Sequence, residues 1–566
     1  MFCPQVYDMN TSELTKFLEP LKHGPSWTAK CIGKLLDADN ITHVADGLVG
    51  ENGVKPVQYV RGVWDIWGVD LPTCYQYCSR SQFPMVFDFL NFSSGVTNYL
   101  LPWLGLTAQL PYEAGDYFEN IMSFCLSVGS PSLSTFSLMS TALSSHRTHK
   151  RFAITIDRSR SEASKEAAKA ARDFLRNAQQ SSLRINDMDF YTLIVKSDAR
   201  FQNWWVTIRK RLHKTRRLYT LSLVAQSFFA VAAWVLTIAA SYIQSLGMHS
   251  QALLLSSGTL WVWLVPVVLG WVYVGTQSRE GTIKEALQGQ DDEKVAAALE
   301  TRSGLCHEIE FHPPDSCFGS VIGDERVQGP AFNYARTFTH HRLVDIVATS
   351  LEKRAAMPDV VFQRADLDAY IEWADLWQDS SWVAHFLFAN AVALFLQWGV
   401  TGAATVISYL TEVRGLGCRS GSYLLYGILA TSAHGLLLTS AFLSHWAMLI
   451  YQRKAENVHN YRRYGTHSVI CVLAVLTRYL GRILAVLNAL WIILSSIFEL
   501  IGFYESCWCT GTVLGLGKRA WVVLFVSGDR MREDAAPSWA GGIAMSILAG
   551  AITYLIVWMA SRERKG

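Results

Sequence analysis

Charge is scarce in this chain. Of its 566 residues, 17% are Asp, Glu, Lys or Arg, where a soluble domain carries about a quarter. That shortfall argues against an ordinary water-soluble globule. Cysteine is sparse too: 11 residues scattered along the length exclude a disulfide scaffold of the whole chain. The opening stretch MFCPQVYDMNTSELTKFLEP has neither a basic n-region nor an apolar h-region, so no signal peptide is expected and targeting falls to an internal span. A Walker loop, a GxGxxG after a strand, GxSxG and HExxH are all missing. The sequence therefore assigns no catalytic residue, no cofactor and no metal ligand.

What is present is apolar and clustered. Half of the residues are hydrophobic, 12% are aromatic, and the mean hydropathy is positive. A bilayer core needs about 20 apolar residues of helix. Six segments meet this: Leu218–Leu246, Ala252–Thr276, Trp382–Leu410, Ser422–Tyr451, Ile483–Phe503 and Trp539–Ala560. A seventh, Ile121–Leu143, is rich in Ser and Thr but uncharged. An eighth, Pro84–Leu110, is weakened by Asp88, Asn91, Asn98 and Pro102 and reads as either a span or a re-entrant segment. Between Thr466 and Ile483, Arg478 and Arg482 flank Gly481. This suggests an interfacial helix, His467–Tyr479, before the span, with both arginines reaching headgroups.

The expectation is an all-α membrane protein, a bundle of seven or eight transmembrane helices with two cytoplasmic helical segments. Charge orients it. Residues 146–217 hold 18 Lys/Arg against 7 Asp/Glu, and basic residues beside spans stay cytoplasmic. Alternation from that anchor gives a hairpin over 218–276, an acidic cytoplasmic segment over 277–381 and a second hairpin over 382–451. A loop with the interfacial helix follows over 452–482, then the last two spans over 483–560 and a cytoplasmic tail, 561–566.

Region 84–145 decides the N-terminus. With eight spans both ends are cytoplasmic; with seven, residues 1–83 face outside. The outer placement is preferred, because Cys3, Cys31, Cys74 and Cys78 could oxidise there and Asn10 and Asn40 head glycosylation sequons. Cys507 and Cys509 are too close in sequence to pair readily with each other. Cys418 in the other outer loop, or an N-terminal cysteine, suits them better.

The cytoplasmic segments read as helical. SRSEASKEAAKAARDFLRNAQQ carries a weak apolar stripe through Ala163, Ala167, Ala170, Ala171 and Phe174, fitting a solvated or membrane-surface helix. Arg209, Lys210 and Arg211 could meet acidic lipid headgroups; nucleic acid is not an expected partner. The segment 277–380 is acidic, 19 Asp/Glu to 10 Lys/Arg, so it could dock on the basic one. Its stretch LCHEIEFHPPDSC (Leu305–Cys317) brackets two histidines between cysteines, but the spacing fits no structural zinc pattern. An ordered, non-catalytic loop is expected.

Inside the spans, His434, His445, Asn390 and Glu499 are the polar candidates, since intramembrane ionisable groups are functional by default. Three strings, LPWLGLTAQLPYE (Leu101–Glu113), GPAFNYARTFTH (Gly329–His340) and ESCWC (Glu505–Cys509), resemble a group of uncharacterised ascomycete multi-pass membrane proteins. The resemblance implies a source and an architecture but no substrate. Function is expected to be receptor-like or scaffold, in the plasma membrane or an endomembrane. The alternatives are a transporter or channel, and a membrane-bound enzyme of fungal lipid or secondary metabolism.

Overall fold

The computed structural model describes residues 27–36, 46–55, 59–60, 63–64, 66–78, 89–114, 116–181, 183, 193–194, 196–197, 201–214, 220–243, 249–275, 283, 287, 321–356, 370–411, 413–456, 464–525 and 528–562. The fold is dominated by helices. Six are long and apolar enough to cross a membrane, and a bent pair makes seven if it counts as one span.

In chain order, α1 is Trp27–Leu35 and α2 is Leu71–Cys78. Residues 89–107 form one helical run, α3, with a π-turn at Val96–Leu100. Then come α4, Tyr117–Gly129, α5, Pro131–Arg158, and α6, Glu162–Asn177. Next are α7, Gln202–Lys214, α8, Leu221–Ile243, and the broken pair α9, His249–Leu260, and α10, Leu264–Val274. The remaining long helices are α11, Thr339–Ala356, α12, Ser380–Tyr409, α13, Cys418–Glu456, α14, Tyr464–Leu500, and α15, Gly528–Arg562.

Helix α13 serves as a ruler. Its 39 residues measure about 58 Å, starting from Cys418 in a disulfide and passing Met448 and Leu449 in a separate helical lobe. The molecule thus has a disulfide end and a lobe end. At the disulfide end, strands Leu48–Val49, Gly68–Asp70 and Trp521–Val523 form an antiparallel sheet, with Val69 opposite Val522. Three disulfides, Cys31–Cys78, Cys74–Cys507 and Cys418–Cys509, tie that sheet's surroundings together. The N-terminal region and the segment before α15 therefore build one cap over Trp27, Ile32, Leu35, Val522 and Phe525.

At the lobe end the alanine stripe of α6 is buried, not solvated: Ala167, Ala170, Ala171 and Phe174 pack with Trp205, Ile208 and Leu212 of α7 and Leu343 and Val347 of α11. Only Ala163 stays exposed. The helix looked weakly amphipathic because alanine is small, and that smallness lets neighbouring helices approach. The basic and acidic segments dock through Arg151 with Asp345 and Glu352, Arg158 with Glu352, and Arg147 with Asp379. Arg209 lies 3.4 Å from Glu166, while Lys210 and Arg211 are exposed.

Three sequence expectations change. The first concerns Ile121–Leu143, which is not one helix. It breaks at Ser130, where α4 and α5 meet at 101°. Pro131, which suits a first helical turn, starts the second arm. Both outer ends of this hairpin lie at the lobe end. Glu113, just before α4, touches Gly329, whose N–H donates to Gln180 just past α6. Arg158, closing α5, pairs with Glu352 of α11. The tip reaches the level of Tyr426 and Asn488, deep in the bundle: Tyr426 donates to the Val128 carbonyl at 2.7 Å and Asn488 to that of Gly129 at 2.7 Å. Gly129 permits this approach, since a Cβ there would fall 2.0 Å from the Ala485 carbonyl oxygen.

The second is α3. Gly95 lies against Leu500 and Leu254 toward the disulfide end, and Gly105 against Gln226, in the second turn of α8. Its 19-residue run, 89–107, therefore extends along the bundle for about 28 Å, and it is not among the six helices apolar enough to cross a membrane. The third is the Arg478–Arg482 break. Residues Tyr464–Leu500 form one continuous helix, so no separate interfacial helix exists over 467–479. Gly481 serves helix packing instead; a Cβ there would come within 2.8 Å of the Leu437 side chain. Small residues at helix crossings are the usual device where apolar solvent gives no drive to associate.

Candidate functional site

The bundle keeps polar side chains inside and apolar ones out. Val472, Leu476, Ile483, Leu487, Leu490 and Leu494 of α14 are exposed. The inner positions hold amides and hydroxyls that join helices. Gln397 of α12 accepts from Ser132 N–H at 3.0 Å and donates to the Gly427 carbonyl at 2.9 Å. Ser130 donates to the Ala430 carbonyl at 2.9 Å. The hairpin tip is thereby fastened to α12, α13 and α14.

The polar candidates fall into three places. His434 and Asn390 come together, Nε2 to Oδ1 at 2.9 Å, with the Phe136 ring edge-on to the imidazole. Glu499 lies near the disulfide end, accepting from Ser257 at 2.5 Å and Tyr423 at 3.0 Å, with Arg419 at 3.6 Å. His445 contacts the Ile371 carbonyl at 3.0 Å and is surrounded by Phe338, Tyr370 and Trp373. The structure does not bring these residues into one site. Asn10, Asn40, Cys3 and the stretch Leu305–Cys317 lie outside the described residues. The sulfurs of Cys31, Cys74 and Cys78 lie within 4.8 Å of one another, but each is bonded in a disulfide, so no thiolate is left for a metal.

Arg478 and Arg482 do not reach for headgroups. Both turn onto Asp324, which is 2% exposed. Arg478 Nε lies 3.6 Å from its carboxylate and Arg482 is hydrogen-bonded to it. Arg478 also donates to the Val321 carbonyl at 2.9 Å. Two arginines four apart share a helix face, and here that face meets the acidic segment. The pair reads as a clamp between α14 and the lobe.

A cavity lies at the lobe end, where α5 leaves the bundle. It measures about 70 Å³ and is bounded by α5, α11, the first turns of α12 and the segment Pro330–Arg336. Three guanidiniums line it. Arg147 donates to His341 Nε2 at 2.7 Å and to Asp379. Arg151 donates to Glu352 at 2.6 Å and Thr349 at 3.1 Å, and lies 3.3 Å from Asp345. Arg336, 4% exposed, donates to the Val327 carbonyl, to the Gly329 carbonyl at 2.8 Å and to Asn333 Oδ1 at 3.0 Å. Asn333 in turn donates to Thr141 at 2.7 Å.

Burial sets the protonation of the lining. It lowers His340 to about 4 and His341 to about 3, so both imidazoles are neutral near pH 7, and Nε2 of His341 is the acceptor for Arg147. Arg336 drops to about 10 for the same reason and stays charged. The cavity's positive charge is therefore carried by guanidinium alone.

Sequence reasoning missed this cavity. Its signal was present in GPAFNYARTFTH, where Asn333, Arg336 and His340 alternate with aromatic and small residues. The partners on α5 lie nearly 200 residues away, as with Asn333 and Thr141 at a separation of 192. No family model, curated protein or solved structure matches the chain.

Proposed function

We propose an integral membrane protein of receptor-like or scaffold type, with seven crossings and one re-entrant hairpin. The crossings are α3, α8, the pair α9–α10, α12, α13, α14 and α15; α4 and α5 dip in and return. On this reading the disulfide cap and N-terminus face the outside or a lumen, and the lobe and C-terminus face the cytoplasm. Two independent features support that orientation: basic residues flank the lobe end, and the disulfides lie at the other, where oxidation is possible. The proposal keeps the seven-span, outer-N-terminus alternative but exchanges the roles of its first two apolar segments. A glycoprotein of ascomycete type, in the plasma membrane or an endomembrane, agrees with the sequons and the resembling strings.

The observation that carries the binding reading is the state of the intramembrane polar groups. His434, Asn390, Gln397, Asn488 and Glu499 each bond across helices. They fasten the bundle, where a transport path would leave such groups facing water. The test is flux in proteoliposomes across a panel of ions, sugars and amino acids. Flux equal to that of empty vesicles is expected. Saturable, substrate-dependent flux would replace this reading with a transporter. Loss of a glycosidase-sensitive mass shift in Asn10→Gln and Asn40→Gln variants checks the side of the N-terminus.

A further inference from the structure

The geometry points to a binding site for a phosphoryl group in the lobe-end cavity, where buried N–H donors without acceptors stand among guanidiniums. The donors come from three separate parts of the chain. Arg147 Nη1, Gln179 Nε2 and Arg336 Nε are buried and have no hydrogen-bond partner, and all three residues line the same cavity. Gln179 and Arg336 are 3% and 4% exposed. A buried donor without an acceptor is costly, and three on one cavity call for a shared acceptor.

The carboxylates around the cavity and the Asn333 amide are engaged elsewhere, while His340 Nε2, on the same cavity, is also buried without a hydrogen-bond partner. Asp379 takes the other terminal nitrogen of Arg147, Asp345 and Glu352 face Arg151, and Asn333 takes Arg336 Nη2. A phosphoryl group presents several charged acceptor oxygens around one centre, and arginine is suited to meet them. Size agrees: 70 Å³ accommodates roughly five waters, enough for one tetrahedral oxyanion and too little for a nucleoside. The side chains of Arg147 and Arg151 are each 22% exposed, so the site reaches solvent. Trp382 and Phe386 line it on the side of α12, where an acyl-bearing phosphate could also enter. The group is therefore either free phosphate or a phosphomonoester headgroup.

The test uses the full-length protein. In detergent, inorganic phosphate is titrated at constant ionic strength, with calorimetric binding and the thermal midpoint as readouts. Wild type is expected to bind saturably and to gain several degrees. Gln179→Glu, which sets a carboxylate where the donor stood, is expected to weaken binding by more than about tenfold. Gln179→Met, which removes the donor without adding charge, is expected to weaken it less; circular dichroism and gel filtration verify that both variants fold. In nanodiscs without phosphate, phosphatidic acid is compared with phosphatidylcholine. Stabilisation by phosphatidic acid, lost in Gln179→Glu, assigns the headgroup; stabilisation by inorganic phosphate alone assigns the free ion. No response to either, or an equal response in wild type and folded Gln179→Glu, overturns the site. Binding here together with measurable flux would remove the receptor-like reading and leave the site intact.

Discussion

The two ends of the molecule solve the same problem with different chemistry. Each must hold together segments far apart in sequence. The cap uses three disulfides around a few short strands. The lobe uses ion pairs over a core of alanine and aromatic side chains. The free cysteines among the described residues, Cys125 and Cys471, lie in neither cross-linked cluster. The difference teaches that the cap is locked covalently and leaves little to adjust. The lobe is held by contacts that salt, pH and ligands can alter, so it is the end suited to respond.

Breaking each end in its own way tests this contrast. The largest effect is expected at the clamp between lobe and bundle. Asp324→Asn leaves Arg478 and Arg482 buried without their carboxylate, and removing one partner of such a group costs about 3–5 kcal/mol. Denaturant unfolding would record it, and a loss below 1 kcal/mol would mean that the clamp is solvated. Next comes the cap: the double change Cys74→Ser with Cys507→Ser should lower stability by about 2–4 kcal/mol. Reductant should cost wild type more than that single deletion and should lower the variant further through its two remaining disulfides, and neither treatment should alter phosphate binding at the lobe.

Gly129→Ala should cost about 1–3 kcal/mol by overpacking, because the hairpin tip has no room against Ala485. Its thermal midpoint should fall while the disulfides remain intact on non-reducing gels. Acidification should act on the lobe selectively. His340 and His341 have folded values below their unfolded value of 6.5, so the unfolded chain takes up protons first. Their stability contribution is present above pH 6.5 and is lost as pH falls from there toward about 4 and 3. Hydrogen exchange at pH 5 against pH 7 should show α11 opening before the cap. The smallest change is expected from Arg158→Ala, whose side chain is 67% exposed; about 0–1 kcal/mol is the usual worth of such a pair.

Much of the architecture was legible in the sequence. Long apolar runs declare themselves without partners, so Leu218–Leu246 and Trp382–Leu410 match helices Leu221–Ile243 and Ser380–Tyr409 closely. What was not legible depended on remote partners. Arg478 and Arg482 looked like a break because Asp324 lies more than 150 residues earlier. The packing role of Gly481 was not legible because the Leu437 side chain it accommodates is on another helix. Composition alone could not separate α3 from the α4–α5 hairpin, since both mix apolar and small polar residues. The Gly129-Ser130-Pro131 triplet did hold the clue, as a helix stop followed by a helix start. The cavity was least legible of all, because its walls come from four stretches of chain.

The Cys74–Cys507 bond sets a schedule for the making of the molecule. Its two sulfurs are separated by 433 residues. At about 5–20 residues per second, the ribosome needs roughly 20–90 s between them. For all of that interval Cys74 has no native partner, while Cys31 and Cys78 can already form theirs; a bond from Cys74 to either of them has to be undone before the cap can close. Closure of the cap is therefore a late event in biosynthesis.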